Sequence, residues 1–391
     1  MIIASAAVAE RLDGFVARTL GAAGDPGVAA VVVNSHGVVS CRGFGHGVNG
    51  NPVTCDTPFA IASLTKSVTA IAAMQLVESR SIQLDAPVTR YLPWFTVRGL
   101  DAAPITVRDL LNQRSGFDTA TGLAYLAIPA SAKMTLEDRV RALAGARVGK
   151  PGEHFQYSNV NYDVLGAIVE ARSGLAYQAY VRSRVFAPLG ITRIAFACDE
   201  PIGGYVRLFS IPVPAPRFPE LCADVPAGGL VMSASQYGRY LAAHLDAGRT
   251  WSRAVLSPDG WAALHRSPSG EPYAMGWYES FHTDGLRELR HNGWSPDFHA
   301  FAVLYPTLDI GAARLANANE VPDAGRSVPI EIGMERILRG AEPPQPPVVP
   351  PDLYMRLAVL AALIVAAFST LRRSHTRTGA VFASVVKIGA I

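Results

Sequence analysis

The stretch Phe59-Ala60-Ile61-Ala62-Ser63-Leu64-Thr65-Lys66-Ser67-Val68-Thr69-Ala70 opens a run that continues to about Ser79 and is apolar on most helical faces. A helix that is apolar nearly all round has to be buried, so the rest of the chain must be built about it. Residues three apart share a helical face, which puts the Ser63 hydroxyl beside the Lys66 ammonium. A serine at a helix start also has unpaired backbone N–H groups and the positive end of the helix dipole close by. Both favour the oxyanion of an acyl-transfer intermediate. The Ser-x-x-Lys pattern alone is cheap, since about one is expected by chance in a chain of this length. A second copy, Ser384-Val385-Val386-Lys387, lies where no substrate pocket is easily built around it.

With 391 residues, 49% of them hydrophobic and 17% charged, the chain has ample material for a core and falls outside the disordered class. A net charge of +3, with no Lys/Arg run and no aromatic-basic stripe, argues against a nucleic-acid partner. The histidines are scattered without an HExxH or other paired ligand spacing, so no metal is expected, and no cofactor. Gly45-His46-Gly47-Val48-Asn49-Gly50 is formally a GxGxxG, but Pro52 and then the serine helix follow it, which excludes a dinucleotide site. Cys41, Cys55, Cys198 and Cys222 lack zinc-ligand or redox-pair spacing. Pairing of Cys41 with Cys55 and of Cys198 with Cys222 in an oxidising compartment, other pairings, and unpaired core thiols all stay open.

Apolar residues at Leu12, Phe15, Val16 and Leu20 predict an amphipathic helix, and Met1 to Ala7 lacks the basic start and apolar length of a secretory signal. Gly27 to Val33 and Val38 to Phe44 read as strands joined by a hairpin turn. Helical patterns follow at Ile105 to Leu111, with Thr106 as N-cap, then at Leu136 to Leu143, Asp163 to Arg172, Ala176 to Val185 and from Ser233 to Leu245. Ser210 to Pro226 is proline-rich and reads as a long surface loop. Beyond Pro272 short strands are predicted at Tyr273 to Tyr278, Arg287 to Gly293, Phe298 to Tyr305 and Ile310 to Ala316, then a helix from Pro322 to Leu338. Strands at both ends with helices between predict an α/β fold: an antiparallel sheet flanked by helices, with an inserted helical subdomain and a cleft between the two parts.

The larger domain is expected over residues 1–340, with a stiff proline-rich linker at 341–353. Residues 354–372 are mostly apolar, with Tyr354 at one edge and Arg372, Arg373 and Arg377 at the other, and read as a single C-terminal transmembrane helix followed by a tail at 373–391. The arginines place that tail in the cytoplasm and the larger domain on the extracytoplasmic side of the cell membrane; with no secretory signal visible, either the given start is late or the domain is cytoplasmic and tail-anchored.

Two further motifs accompany the serine: Tyr157-Ser158-Asn159, and His291-Asn292-Gly293 in a predicted strand followed by Trp294. With Thr57 to Ser63, Leu84 to Val88, Ile105 to Leu111, Ser115-Gly116-Phe117, Pro188-Leu189-Gly190 and Pro226 to Leu230, they make the sequence resemble the serine β-lactamase and penicillin-binding-protein superfamily. The branch is the one of class C β-lactamases, D-alanyl-D-alanine carboxypeptidases and related esterases. The resemblance covers about Gly27 to Leu338 and implies a serine hydrolase acting through an acyl-enzyme on a small-molecule or peptide ester or amide. It implies that Ser63 attacks the carbonyl, that Lys66 and Tyr157 share its proton and pass it on, and that proximity and desolvation lower the pKa of at least one of them. Asn159 would bind the substrate amide or Lys66, the amides of Ser63 and Trp294 would form the oxyanion hole, and Gly293 would let substrate approach the strand.

Two departures narrow the expectation. His291 stands where β-lactamases and carboxypeptidases usually carry the lysine of Lys-Thr-Gly, so the cation that would meet a substrate carboxylate becomes a titratable one. Asp297 replaces the glycine common in relatives with the histidine version, and either tunes His291 or faces solvent. The alternative function is a membrane-tethered acyl-binding or sensor domain without turnover. Sequence does not fix the substrate or the oligomeric state.

Overall fold

A computed structural model describes residues 2–99, 103–127, 134–197, 199, 202–208, 211–216, 225–319, 327–345 and 357–366. Met1–Pro346 forms one compact unit and Pro347–Ile391 a second.

The first unit opens with helix α1 (Ile2–Ala23) and the hairpin β1 (Gly27–Asn34) and β2 (Gly37–Gly45). A short strand β3 (Pro58–Ala60) leads into a single 3-10 turn, Ala62–Leu64, that continues as α2 (Thr65–Glu78). The inserted helical part follows: α3 (Val107–Leu111), α4 (Thr119–Leu126), α5 (Leu136–Arg141), α6 (Val160–Ser173) and α7 (Tyr177–Tyr180), the last running into a π-helical turn at Val181–Phe186. Thr106 caps α3 as expected, its hydroxyl accepting from the Asp109 amide while the Asp109 carboxylate accepts from the Thr106 amide. Strands β4 (Ala195–Phe196), β5 (Tyr205–Leu208) and β6 (Ile211–Pro214) come next, then α8 (Val225–Gly228), β7 (Leu230–Ser233), α9 (Ala234–Asp246) and α10 (Pro258–Leu264). The chain returns to the sheet through β8 (Tyr278–Phe281), β9 (Arg287–Trp294), β10 (His299–Tyr305), β11 (Ile310–Ala316) and β12 (Ala318–Asn319), and α11 (Ser327–Leu338) closes the unit.

The main sheet runs β2-β1-β11-β10-β9-β8, antiparallel throughout, so the two ends of the chain meet at the β1–β11 pair. Period-two alternation divides its side chains between two cores. Val28, Ala30 and Val32 pack with Phe301, Val303 and the apolar stripes of α1 and α11. Ala29, Val31 and Val33 face the opposite way, into the larger core that holds α2, α6 and α9. Helix α2 is buried along almost its whole length, as its all-round apolarity requires.

Three sequence expectations need correction. Within the stretch read as loop, β6 forms a strand that carries Pro212 and Pro214 and pairs as a hairpin with β5, which precedes the stretch. Proline lacks a ladder donor but is tolerated on an edge strand, and β6 is the edge of its three-stranded sheet. Tyr273 to Tyr278 is not a strand: Tyr273 and Tyr278 form a single bridge, and β8 begins only at Tyr278. The serine helix begins as the 3-10 turn and becomes α-helical at Thr65. Cys41 on β2 and Cys55 form a disulfide, which contributes about 3 kcal/mol by restricting the unfolded chain. Cys198, Cys222 and the second Ser-x-x-Lys lie outside the described residues.

Of the second unit, residues 357–366 are helical, with Leu357, Leu360, Leu363, Ile364 and Val365 exposed. Ten residues rise about 15 Å, and among the described residues no helix is long and apolar enough to cross a membrane. The rest of the segment expected to span lies outside them.

Candidate active site

The 3-10 turn that starts the buried helix fixes Ser63. Its predecessor, Ala62, has φ +45°, a left-handed conformation costing an alanine about 1–2 kcal/mol, so backbone strain sits at the residue before the hydroxyl. One turn on, the buried Lys66 places Nζ 2.8 Å from Ser63 Oγ, 2.7 Å from Asn159 Oδ1 and 2.7 Å from the Ala227 carbonyl. Asn159 occupies the N-cap position of α6 but does not cap it; the side chain accepts from Lys66 instead. The amide and carbonyl oxygens only accept, so they hold two of the lysine N–H bonds and leave the third position of the nitrogen aimed at the serine. With that position a lone pair, Lys66 is placed to take the Ser63 proton.

Tyr157 is half-buried, its hydroxyl hydrogen-bonded with Ser63 and its ring centroid 5.1 Å from Lys66 Nζ. Burial pushes the phenol above its ordinary value, further than the Ser63 hydrogen bond pulls it down. Of the two groups expected to share the serine proton, Tyr157 is therefore not the one whose pKa is lowered; it is suited to donate its proton. Ser63 and Lys66 from one segment and Tyr157 and Asn159 from another therefore share one place. Gln113, which sequence reading missed, holds the tyrosine loop there. Buried at φ +57°, it accepts the Ser158 amide on Oε1 (2.9 Å) and the Gln156 amide on its carbonyl (2.8 Å), and Asn161 Nδ2 donates to the same Oε1. Its nearness to the matched Ser115-Gly116-Phe117 was the available signal.

The third motif forms the opposite wall. The Ser295 amide turns in to the Phe298 carbonyl (3.0 Å), so the Trp294 amide, one residue earlier in the ladder, turns out toward the free edge of β9. Strand β8 pairs only with residues 287–290 and leaves that edge uncovered. A Cβ on Gly293 would stand 2.2 Å from the Ile61 carbonyl oxygen, so only glycine lets β9 approach the turn that bears Ser63. At Gly293, strand β9 thus packs against the turn that bears Ser63, while the Trp294 side chain is exposed.

His291 is not the titratable cation expected at this wall. It is buried, its Nδ1 lies 2.6 Å from the Asn292 carbonyl and therefore carries the hydrogen, and Nε2 accepts from the Tyr273 hydroxyl at 3.0 Å. Burial first, and Lys66 second, bring its pKa down to about 3, so the ring is neutral at physiological pH. It stacks into an aromatic cluster with Tyr157, Tyr273 and Tyr278, ring centroids 4.9–6.5 Å apart. Tyr273 and Tyr278 carried no motif in the sequence; tertiary packing alone brings them here. Asp297 neither faces solvent nor tunes His291. It is buried in the turn after β9, where Ser295 Oγ donates to it at 3.2 Å. Among the described residues no group of three or more His, Cys, Asp or Glu is placed to hold a metal ion.

A sequence model of the Beta-lactamase family matches residues 12–332. The chain belongs to the beta-lactamase family. Among relatives in this family, Protein flp of Staphylococcus aureus (strain COL) is 26% identical over 324 residues, 79% of this chain and 63% of that protein, so the chain spans less than two thirds of it. Esterase EstB of Burkholderia gladioli is 35% identical over 212 residues, half of this chain and 54% of EstB. The octameric penicillin-binding protein homologue from Pyrococcus abyssi superposes with a TM-score of 0.72 at 26% identity, covering 86% of this chain and 78% of that one. The D-amino acid amidase from Ochrobactrum anthropi SV3 shares the fold, with a TM-score of 0.67 at 22% identity over 80% of this chain and 92% of that one.

Proposed function

We propose that this beta-lactamase-family chain is a serine hydrolase that forms an acyl-enzyme at Ser63 on neutral esters or small amides. The observation that carries the reading is the Lys66 nitrogen, 2.8 Å from Ser63 Oγ and held on its other sides by Asn159 and Ala227. The Ser63 proton passes to Lys66 as Oγ attacks the carbonyl carbon, and the oxyanion meets the amides of Ser63 and Trp294. The tetrahedral intermediate collapses, the leaving group takes the Tyr157 proton, and Lys66 returns a proton to Tyr157. Water then repeats the sequence on the acyl-enzyme.

An esterase and a D-amino acid amidase among the similar proteins support the reaction class. The neutral His291 supports the preference for uncharged substrates, because the position assigned to a carboxylate-binding cation holds an imidazole already committed on both nitrogens. Without a charge-paired contact worth about 1.5–3 kcal/mol, kcat/KM for p-nitrophenyl butyrate is expected to exceed that for nitrocefin by about 100-fold. Equal rates on the two, or covalent labelling with no turnover on any ester or amide, would contradict the proposal; the second outcome would identify a sensor domain.

We also propose that residues 354–372 attach the hydrolase to the cell membrane with the catalytic unit on the extracytoplasmic side. The exposed apolar side chains of residues 357–366 and the Cys41–Cys55 disulfide support this. In a liposome flotation assay the full chain is expected to float, and Leu363→Arg with Val365→Arg to remain at the bottom of the gradient; equal flotation of both removes the support for this segment.

A further inference from the structure

The turn that follows β9 holds a carboxylate that the mechanism above does not use. Ser295 Oγ donates to Asp297 Oδ1 at 3.2 Å and accepts the Phe298 amide at 3.0 Å, while the Ser295 carbonyl accepts from Asn319 Nδ2 at 2.5 Å. The Gly204 amide, on the approach to β5, donates to Asp297 from the other side. A Cβ on Gly204 would stand 2.4 Å from the Asp297 carbonyl oxygen and 2.9 Å from Oδ2, so the two segments touch through backbone. Trp294, whose amide turns out toward the free edge of β9, immediately precedes this knot.

We infer that Asp297 is a positioning residue for the oxyanion hole: its carboxylate ties the turn after β9 to the Gly204 backbone and so fixes the direction of the Trp294 amide. The inference rests on the acyl-enzyme reading. The ionised carboxylate accepts from both Ser295 and Gly204 with a full charge, whereas the protonated form offers Gly204 only a weaker neutral acceptor and turns the Ser295 hydrogen to the Phe298 carbonyl, 3.3 Å from Oγ. Burial pushes the Asp297 carboxyl up to about 6. Other titratable side chains on the packed elements are committed elsewhere: His299 to Glu331 and Arg314, Arg207 and Arg314 to Asp25, and Tyr205 to the Gly47 carbonyl. Because the folded state binds the Asp297 proton more tightly than the unfolded chain does, stability falls as pH rises through about 4 to 6. The grip on Trp294 strengthens over the same rise. An asparagine therefore separates holding the fold from aiming the amide.

The experiment follows p-nitrophenyl butyrate hydrolysis from pH 5 to 9 by the full chain and by Asp297→Asn, Gly204→Ala and Ser63→Ala, with Tm measured alongside. In Asp297→Asn kcat is expected to fall about 10-fold or more at pH 8 with KM nearly unchanged. The acid-side decline centred near pH 6 in the parent is expected to disappear, and Tm at pH 8 is not expected to drop. Gly204→Ala is expected to reproduce the loss in kcat, and decides the matter if the asparagine variant does not fold. A parent-like kcat and pH profile in either folded variant, or a kcat loss that merely follows a fall in Tm, overturns the inference. Turnover that survives in Ser63→Ala overturns the acyl-enzyme reading instead.

Discussion

Replacing Lys66 with alanine is expected to lower kcat/KM for an ester by about 10³-fold or more while Ser63 stays in place. The nitrogen is bonded to Ser63, Asn159 and Ala227, and among the contacts described for Ser63 it is the one basic group within hydrogen-bond reach of Oγ. Tyr157 cannot take over, because burial holds its phenol protonated far above neutral pH. The effect should fall on acylation itself, so labelling by a fluorophosphonate should slow in parallel with turnover. Labelling of Lys66→Ala at the parent rate would mean that another group removes the serine proton.

Gly293→Ala is the second large effect expected. The added methyl would stand 2.2 Å from the Ile61 carbonyl oxygen, and backbone on both sides leaves neither partner a flexible way to yield. Strand β9 must then move away from the turn that bears Ser63, which separates the two amides facing the oxyanion. Loss of one such donor lowers kcat by about 10²–10³-fold, and forcing the methyl in destabilises the fold by about 1–3 kcal/mol. Steady-state kinetics at a temperature well below the variant's Tm separates the two effects. A folded Gly293→Ala with parent kcat would remove Trp294 from the oxyanion hole.

The parts of the fold legible in the sequence are those governed by local periodicity. The β1–β2 hairpin, the capped α3, the strands β9 to β11 and the buried α2 all carry their pattern within a single segment. The β5–β6 hairpin was hidden because its prolines read as loop, and only its place at a sheet edge makes them tolerable. Ser63, Lys66, Tyr157, Asn159 and Gly293 were legible as motifs, and the structure brings them to one gap. Their electrostatics were not legible. The neutral His291 and the proton-retaining Tyr157 follow from burial, and that burial involves Tyr273 and Tyr278, which no local pattern connects to the motifs. Asp297 shows the same limit: a carboxylate directly after Pro296 reads as solvent-facing until Gly204 is packed against it.

The central claim is that one serine hydroxyl, activated by Lys66, carries the acyl group through the reaction. Intact-protein mass spectrometry of a rapidly quenched mixture with p-nitrophenyl butyrate tests it directly. A single added butyryl mass is predicted, mapping to the peptide that contains Ser63 and missing from Ser63→Ala. Turnover by the parent with no adduct, or an adduct of equal yield in Ser63→Ala, would contradict it.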